Sequence, residues 1–296
     1  MDILVVRSGA LGDTILTFPL LTSIGRIYRD ATLTLLADRS YLDLVPPGVQ
    51  CRPIDSSSST WLFEDSDGEF LADGFAFDLV FVILNRPDQV VDNLLRSGAK
   101  VVRHVSASPI PGMHLVEHLH SGLGMLPSER RPSLYHLASQ EKKNLIWMHP
   151  GSGGPSKCIP LNLLVSLAEK LRKDTEWDLV VTATEQDAFL MHLPEWQDLV
   201  GRPGTRLIRN KPLKMICEEM SGAQLFLGND SGMSHLAAGL GIRSAVFFLS
   251  SDPAIWAPWV PENQVSIIDC RTGIPDLSEL ERHAYKLLEP GRKGVG

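Results

Sequence analysis

The sequence of 296 residues is short of cysteine and contains no long apolar run. Its cysteines, at positions 51, 158, 217 and 270, are widely separated and form no C-x-x-C pair, so the sequence indicates neither a zinc site nor a disulfide framework. No apolar stretch reaches the roughly 18 residues that a membrane-spanning helix requires. Because Met1 and Asp2 run directly into a strand pattern without a basic leader, we expect a cytoplasmic protein without an anchor.

An excess of positive charge is also absent. The net charge is -7, with -5 in residues 1 to 140 and -2 in the remainder. A nucleic-acid partner is therefore not expected, because such proteins present a basic surface to phosphates. Five arginines of the first half are Arg7, Arg52, Arg86, Arg96 and Arg103. They would either form a local positive patch or, as is more usual for arginine, be solvated or salt-bridged.

The hydrophobic content of 44% and the charged content of 21% describe a globular protein, and the length suits two domains. Apolar strand patterns alternate with helical patterns, and such an alternation predicts parallel sheets covered on both faces. The predicted strands are 3–6, 31–37, 78–84, 100–105, 144–149, 178–183, 224–228, 243–249 and 265–269. The predicted helices of the first half are 13–28, 89–97 and 113–125.

Leu227 to Ala238 is the most informative segment, because an apolar strand runs into a helix start that carries Asp230, Ser231, Gly232 and His235. Asp230 or Ser231 is placed to cap the helix, and Gly232 would let a ligand approach the backbone closely. A helix N-terminus favours phosphate through its free N–H groups and its dipole. The segment predicts a nucleotide site, and the alternative is an ordinary capped helix.

A second strand, loop and helix pattern spans Ile3 to Leu21, with Asp13 at the start of the helix. Asp13 is either a helix cap or a carboxylate in the ligand crevice that open α/β sheets form at the carboxyl ends of their strands. The loop has only Gly9 and Gly12, so it lacks the G-x-G-x-x-G pattern of dinucleotide-binding proteins.

A third pattern spans Asn144 to Leu161 and contains a glycine-rich loop that ends in a lysine. Backbone N–H groups of residues 151–154, the hydroxyls of Ser152 and Ser156, and the Lys157 ammonium are predicted to converge on an anion. A Walker A loop is excluded because Lys157 is followed by Cys-Ile-Pro rather than Ser or Thr. The alternative is a flexible surface loop with a solvated lysine.

Two further patterns suggest metal binding only superficially. Residues 64–69 contain an Asp-x-Asp, but the surrounding loop is polar and lacks the rigid support that a metal site needs. His114 and His118 are four residues apart with His120 nearby, and the leucines around them favour an ordinary helix. We therefore expect no metal site.

Taken together, these segments resemble glycosyltransferase family 9, the family of the ADP-heptose:lipopolysaccharide heptosyltransferases. The resemblance rests on residues 8–21, 149–160, 228–238 and 250–259, whose order and spacing agree over nearly the whole chain. It implies a GT-B fold of class α/β, in which two Rossmann-like domains with parallel sheets face each other across a cleft. The expected domains are an acceptor-side domain of residues 1–138 and a nucleotide-sugar-binding domain of residues 139–296, with helix 277–288 expected to pack back on the first.

The resemblance also implies an inverting, metal-independent transfer of a sugar, with a heptose from ADP-heptose favoured, to a hydroxyl of a glycan or lipopolysaccharide-type acceptor. Asp13 would be the general base, no cofactor would be required, and contact with the inner membrane would be peripheral at most. Donor-binding candidates are Ser152, Gly153, Ser156, Lys157, Glu185, Asp230, Ser231, Gly232, Met233 and His235. Acceptor-side candidates are Arg7, Ser8, Gly9, Leu11 and Gly12. The alternatives are a non-catalytic nucleotide-sugar-binding protein and a GT-B epimerase or hydrolase.

Overall fold

A computed structural model describes residues 1–65, 75–127, 130–139 and 141–288. The chain divides into two compact units, Met1–Glu129 and Arg130–Gly296. The domain boundary expected from the sequence, after residue 138, lies slightly further along the chain.

The first unit is built on one parallel sheet with strand order β3-β2-β1-β4-β5. Its strands are β1 (Asp2–Arg7), β2 (Thr32–Ala37), β3 (Val49–Pro53), β4 (Leu79–Ile83) and β5 (Val102–Val105). Its helices are α1 (Leu11–Ile27), α2 (Asp88–Arg96) and α3 (Leu115–Gly122). The strand order reverses between β1 and β4, which are neighbours in the sheet although other strands separate them along the chain.

Burial explains why the central strands of this unit are almost entirely apolar. All five residues of β4 are buried, as are the last five of β1, so both strands are covered on both faces. Helix α1 is buried along most of its length, from Thr14 to Leu21. Burying apolar side chains stabilises such a layered structure by roughly 1.5 to 3 kcal/mol for each large residue.

The second unit contains a parallel sheet with strand order β11-β10-β9-β6-β7-β8. Its strands are β6 (Leu145–His149), β7 (Asp178–Ala183), β8 (Thr205–Arg209), β9 (Leu225–Asn229), β10 (Arg243–Phe248) and β11 (Val265–Asp269). Its helices are α4 (Leu161–Thr175), α5 (Pro194–Gly201), α6 (Leu213–Met220), α7 (Gly232–Gly239), α8 (Pro253–Trp256) and α9 (Leu277–Leu288). If β6 is counted as the first strand, the order read from β8 is 3-2-1-4-5-6, which is the doubly wound order of dinucleotide-binding folds. The order reverses between β6 and β9.

Helix α9 packs on α4, β10 and β11 of its own unit. Leu280, Ala284 and Leu287 form its buried face, at the spacing of an amphipathic helix. The expected packing of this helix on the first domain stays a prediction.

Every strand predicted from the sequence is present, and the α/β class is confirmed. The sequence analysis missed β3 and β8, which are edge strands of their sheets. Both have mixed polar and apolar residues, because an edge strand is exposed to solvent along one side. In the part of the chain that the structure describes, no helix is long and apolar enough to cross a membrane.

Candidate active site

Asp13 occupies the third position of α1, at the carboxyl end of β1. Its Oδ2 accepts a hydrogen bond from the backbone N–H of Ala10, the N-cap residue, at 3.0 Å. The sequence analysis considered Asp13 as the N-cap itself, whereas the structure shows that it caps the helix from inside its first turn. The carboxylate is 27% exposed, so one side of it remains accessible to a substrate.

Arg7, the last residue of β1, lies directly behind this carboxylate. Its Nη2 is 3.0 Å from Asp13 Oδ1, and its side chain is only 2% exposed. Burial lowers the pKa of Arg7, while the charge of Asp13 raises it. The sequence analysis placed Arg7 among the residues that contact the acceptor, but here its guanidinium supports Asp13 from the interior of the sheet.

The Ser8–Gly12 loop wraps closely around Asp13. A Cβ at Gly9 would lie 3.0 Å from both Cβ and Oδ2 of Asp13, which is tighter than ordinary van der Waals contact. Ser8 and Gly9 are exposed, and Leu11 and Gly12 are partly exposed. Glycine at position 9 therefore lets the carboxylate fold back onto Ala10 and leaves the loop open to solvent.

Tyr41 is a neighbour of Asp13 that the sequence analysis missed. It lies in a 3₁₀ turn, Arg39–Leu44, that follows the carboxyl end of β2. Burial, then the carboxylates of Asp38 and Asp13, raise the pKa of Tyr41, and a hydrogen bond with the Leu11 backbone opposes them. The sheet topology could have indicated that Tyr41 lies near Asp13. Strands β1 and β2 are adjacent and parallel, so the loops that follow them meet at one edge of the sheet.

In the second unit, Asn229 joins the glycine-rich loop to the head of α7. Its Oδ1 accepts from the Ile159 N–H at 3.0 Å, and its Nδ2 donates to the Pro150 carbonyl at 2.7 Å. Asn229 is fully buried at the end of β9, beside β6. One amide side chain thus fixes both ends of the loop to the strand that leads into α7.

Ser152 adds a second link between these two segments, because its Oγ donates to the Asp230 carbonyl at 2.5 Å. Its hydroxyl proton is therefore used inside the protein. Gly153 and Ser156 are exposed, and Lys157 is half-buried at the end of the 3₁₀ turn Pro155–Lys157. Among the residues that the structure describes, Lys157 has no carboxylate within salt-bridge distance, so its charge is available to an anion.

The N-terminus of α7 is not capped by the Ser231 side chain, which was one of the two caps predicted from the sequence. Ser231 is the N-cap residue by position, but its side chain does not cap the helix. The Asp230 carboxylate instead accepts a hydrogen bond from the Ser251 hydroxyl. The Ser231 side chain therefore does not cap α7, and Ser251 was not among the predicted site residues although its segment, 250–259, carries part of the resemblance.

The remaining residues of α7 that the sequence predicts to bind the donor differ in exposure. Gly232 is partly exposed at the first position of the helix, whereas Met233 and His235 are each 5% exposed. The part of this helix open to a ligand is consequently its N-terminal backbone.

Glu185 is exposed in a 3₁₀ turn, Glu185–Asp187, after the carboxyl end of β7. Asp187 in the same turn is buried and accepts from the Thr184 N–H and hydroxyl at 2.7 and 2.8 Å. A Cβ at Gly151 would lie only 1.7 Å from Asp187 Oδ1. Glycine at position 151 is therefore required for the glycine-rich loop to pack against this carboxylate.

His149 ends β6 beneath the same loop. Its Nε2 lies 3.9 Å from Asp187 Oδ2, and its Nδ1 contacts the Thr182 carbonyl at 3.1 Å. Burial lowers the pKa of His149, and Asp187 partly opposes that effect. The layer beneath the loop is thus buried and hydrogen-bonded.

The histidines of α3 have structural partners. His114 Nδ1 accepts from the Val116 N–H, His118 Nε2 contacts the Ser106 carbonyl, and His120 contacts the Ser23 hydroxyl and the Val116 carbonyl. Within the described ranges no group of three or more His, Cys, Asp or Glu side chains is arranged to hold a metal ion. Residues 66–69 of the acidic loop lie outside the described residues, and the absence of a metal requirement stays a prediction.

The geometry described so far matches a known family. The model of glycosyltransferase family 9 (heptosyltransferase) matches residues 118–283, more than half of the chain. The chain belongs to glycosyltransferase family 9. It is therefore classed as a glycosyltransferase, as the resemblance in its sequence indicated. A search of curated proteins found no match.

Solved structures of family 9 proteins share its fold. A family 9 glycosyltransferase from Veillonella parvula has 16% identity and a TM-score of 0.77, and the match covers 98% of this chain and 97% of that one. The E. coli ADP-heptose lipopolysaccharide heptosyltransferase II has 18% identity and a TM-score of 0.70, covering 98% and 99%. E. coli heptosyltransferase WaaC with ADP has 16% identity and a TM-score of 0.67, covering 97% and 98%. These likenesses confirm the GT-B fold.

Proposed function

We propose that this protein is an inverting, metal-independent glycosyltransferase that moves a sugar from a nucleoside diphosphate sugar to a hydroxyl of a glycan acceptor. The observation that carries the proposal is the position of Asp13 in a family 9 chain. Its carboxylate stands at the point in the first sheet where the strand order reverses, and open α/β sheets bind ligands at such points. Arg7 and Ala10 hold it in one orientation.

Asp13 would act as the general base. The acceptor hydroxyl becomes a stronger nucleophile when a carboxylate removes its proton as the new glycosidic bond forms. Attack on the face opposite the departing diphosphate inverts the anomeric carbon. The Arg7 guanidinium keeps the carboxylate in place during this step, because reorienting the carboxylate would leave the buried guanidinium charge unpaired.

The second unit would bind the donor. Its phosphate loop, residues 150–157, and the head of α7 both follow strands at the reversal point of the second sheet. The Lys157 ammonium and the N-terminal N–H groups of α7 would stabilise the negative charge that develops on the leaving diphosphate. These fixed donors would take the place of a divalent cation.

The roles of other donor-side residues follow from their exposure. Glu185 would contact the ribose hydroxyls, since it is exposed at the loop after β7, next to β6. The Ser152 hydroxyl would hold the phosphate loop to Asp230 rather than touch the donor, because its proton is already used. Its backbone N–H and that of Gly153 remain candidates for phosphate contacts.

ADP-heptose is the favoured donor, and a glycan or glycolipid on the cytoplasmic side of the inner membrane is the favoured acceptor class. Support comes from the family and from similar structures that were determined with ADP and with ADP-2-deoxy-2-fluoro heptose. UDP-GlcNAc 2-epimerase from Methanocaldococcus jannaschii has the same fold at 11% identity and a TM-score of 0.55, so the fold alone does not exclude other reactions of nucleotide sugars.

The test is incubation of the protein with a panel of nucleoside diphosphate sugars, with and without saccharide acceptors, followed by mass spectrometry. The proposal predicts a product one sugar heavier than the acceptor, and release of the nucleoside diphosphate only when acceptor is present. Sugar release or epimerisation without acceptor would instead identify a hydrolase or epimerase. Binding of a nucleotide sugar without turnover on any acceptor would identify a non-catalytic binding protein.

A further inference from the structure

The loops at the carboxyl ends of strands β1 to β5 form what we call the acceptor edge of the first unit. It comprises residues 8–13, 38–44, 54–65, 84–88 and 106–114, to the extent that the structure describes them. Carboxylates predominate among its charged groups. They are Asp13, Asp38, Asp43, Asp55, Glu64, Asp65 and Asp88. Against these acids, the described part of the edge holds the guanidinium groups of Arg39 and Arg86, and Arg7 lies behind Asp13.

Two of these three arginines are already paired with acids of the same edge. Arg7 Nη2 is 3.0 Å from Asp13, and Arg39 Nε is 3.6 Å from Asp55 Oδ2. The first pair is buried on the arginine side, whereas both members of the second are exposed. Each pair neutralises one carboxylate and one arginine, so five of the seven carboxylates remain against Arg86 in the described part of the edge.

The other arginines of this unit do not gather at the edge into the positive patch that the sequence left open. Arg52 lies over the rings of Phe75 and Phe77, 5.3 and 5.6 Å from their centroids. Arg96 donates to the Asn93 side chain in α2, and the Asn93 amide in turn donates to the carbonyls of Trp61, Leu62 and Glu64, so the Arg96 guanidinium is already partnered within this network. Arg103 is within β5. The interpretation of these residues as paired or solvated side chains is therefore the better one.

The uncharged polar groups of the acceptor edge suit saccharide hydroxyls. Asn85 Oδ1 accepts from the Ser106 hydroxyl at 3.0 Å and from the Ser108 N–H at 2.9 Å, which leaves its amide N–H₂ to donate. Ser8 is exposed beside Asp13. The Tyr41 ring is half-buried next to the same carboxylate and adds a flat apolar face with a polar tip.

We propose that the acceptor bound at this edge is an uncharged saccharide, rather than a phosphorylated or carboxylate-bearing one. This inference rests on the proposed function and specifies its acceptor. Like charges brought together at a binding surface cost several kcal/mol, so an acidic edge rejects a polyanion. A neutral sugar meets no such repulsion and can use the hydroxyl, amide and aromatic groups described above.

The experiment compares matched acceptors with the intact protein and its preferred donor. Neutral oligosaccharides and the same oligosaccharides carrying phosphate groups are assayed by mass spectrometry at several salt concentrations. The screening length falls from about 30 Å at 0.01 M to about 3 Å at 1 M salt. The neutral acceptor should give at least about tenfold higher kcat/KM at low salt, and its KM should change less than about twofold across the series. The phosphorylated acceptor should improve as salt rises.

A double variant with fewer charges tests whether the selection depends on the acceptor edge or on the charge of the whole surface. Asp38→Asn with Asp55→Asn removes two carboxylates and releases Arg39. The amide oxygen introduced at position 38 can still accept the Ser40 N–H that Asp38 now accepts at 2.8 Å, so the turn should be kept. The variant should raise kcat/KM for the phosphorylated acceptor by at least about fivefold relative to the neutral one. Asp30→Asn with Asp92→Asn is the control, since it makes the same charge change at exposed positions outside the edge.

The outcomes are distinct. Preference for the phosphorylated acceptor, with a KM that rises steeply with salt, would overturn this inference and leave the glycosyltransferase proposal intact. An equal response of the two double variants would also overturn it, because the edge would then have no special part in selection. Failure of every donor and acceptor to react would overturn the proposed function itself.

Discussion

Replacing Asp13 by Asn removes the proposed base while keeping the shape of the helix start. The Asn oxygen can still accept the Ala10 N–H that Asp13 accepts at 3.0 Å, so α1 should begin at the same residue. A positioned general base contributes about 100- to 10,000-fold to rate, which corresponds to about 2.7 to 5.5 kcal/mol in the activation barrier. Turnover of Asp13→Asn should fall by that factor.

The substitution also leaves Arg7 without its carboxylate partner. Breaking a fully buried ion pair costs about 3 to 5 kcal/mol, and because Asp13 is 27% exposed we expect a smaller loss of roughly 1 to 3 kcal/mol. Steady-state kinetics should therefore be measured well below the midpoint of thermal unfolding. Calorimetry with the nucleoside diphosphate should give an unchanged Kd, because the donor loops belong to the second unit.

Glu117→Gln is the matched control. Glu117 occupies the third position of α3, a helix that follows β5 of the same sheet, so the two substitutions change the helix dipole similarly. The control should keep nearly full turnover. If Asp13→Asn keeps more than about a tenth of the wild-type kcat, Asp13 is a helix cap only and the proposed mechanism is wrong.

Four further results are expected. Lys157→Met should weaken nucleoside diphosphate binding by about 10- to 100-fold in calorimetry, and an unchanged Kd would remove this lysine from the phosphate site. Gly151→Ala should lower the free energy of unfolding by about 1 to 3 kcal/mol, since its Cβ would lie 1.7 Å from Asp187 Oδ1, whereas Gly153→Ala, with nothing within 4 Å, should be nearly neutral. EDTA should leave transfer intact, and a loss that magnesium or manganese restores would contradict metal independence. The pKa of His149 is lowered by burial, so the unfolded state binds more protons in acid and thermal stability should fall as the pH drops below about 6.5; a rise would contradict this.

The central strands were predictable because burial on both faces forces a continuous apolar run. This was so for β1, β4, β6 and β9, whose carboxyl ends carry the candidate site. The edge strands β3 and β8 lack such a run, and the sequence offers no comparable signal for them. The glycine-containing loops that follow the buried strands therefore identified the candidate site, whereas the edge strands β3 and β8 were missed.

The positions of the candidate residues were predictable, but their partners were not. The sequence placed Asp13 at a helix start without showing that Arg7 lies 3.0 Å behind it, since both pairing and exposure depend on how β1 joins α1. It offered Ser152 as a phosphate ligand, whereas the hydroxyl bonds to Asp230, 78 residues away. Long-range contacts of this kind leave no local pattern in the sequence.

The most direct test of the account is a crystal structure of the protein with ADP bound. The account predicts the pyrophosphate within hydrogen-bonding distance of Lys157 Nζ and of the backbone N–H groups at the head of α7. A nucleotide bound away from both groups would contradict the assignment of the second unit as the donor site, and with it the proposed transfer reaction.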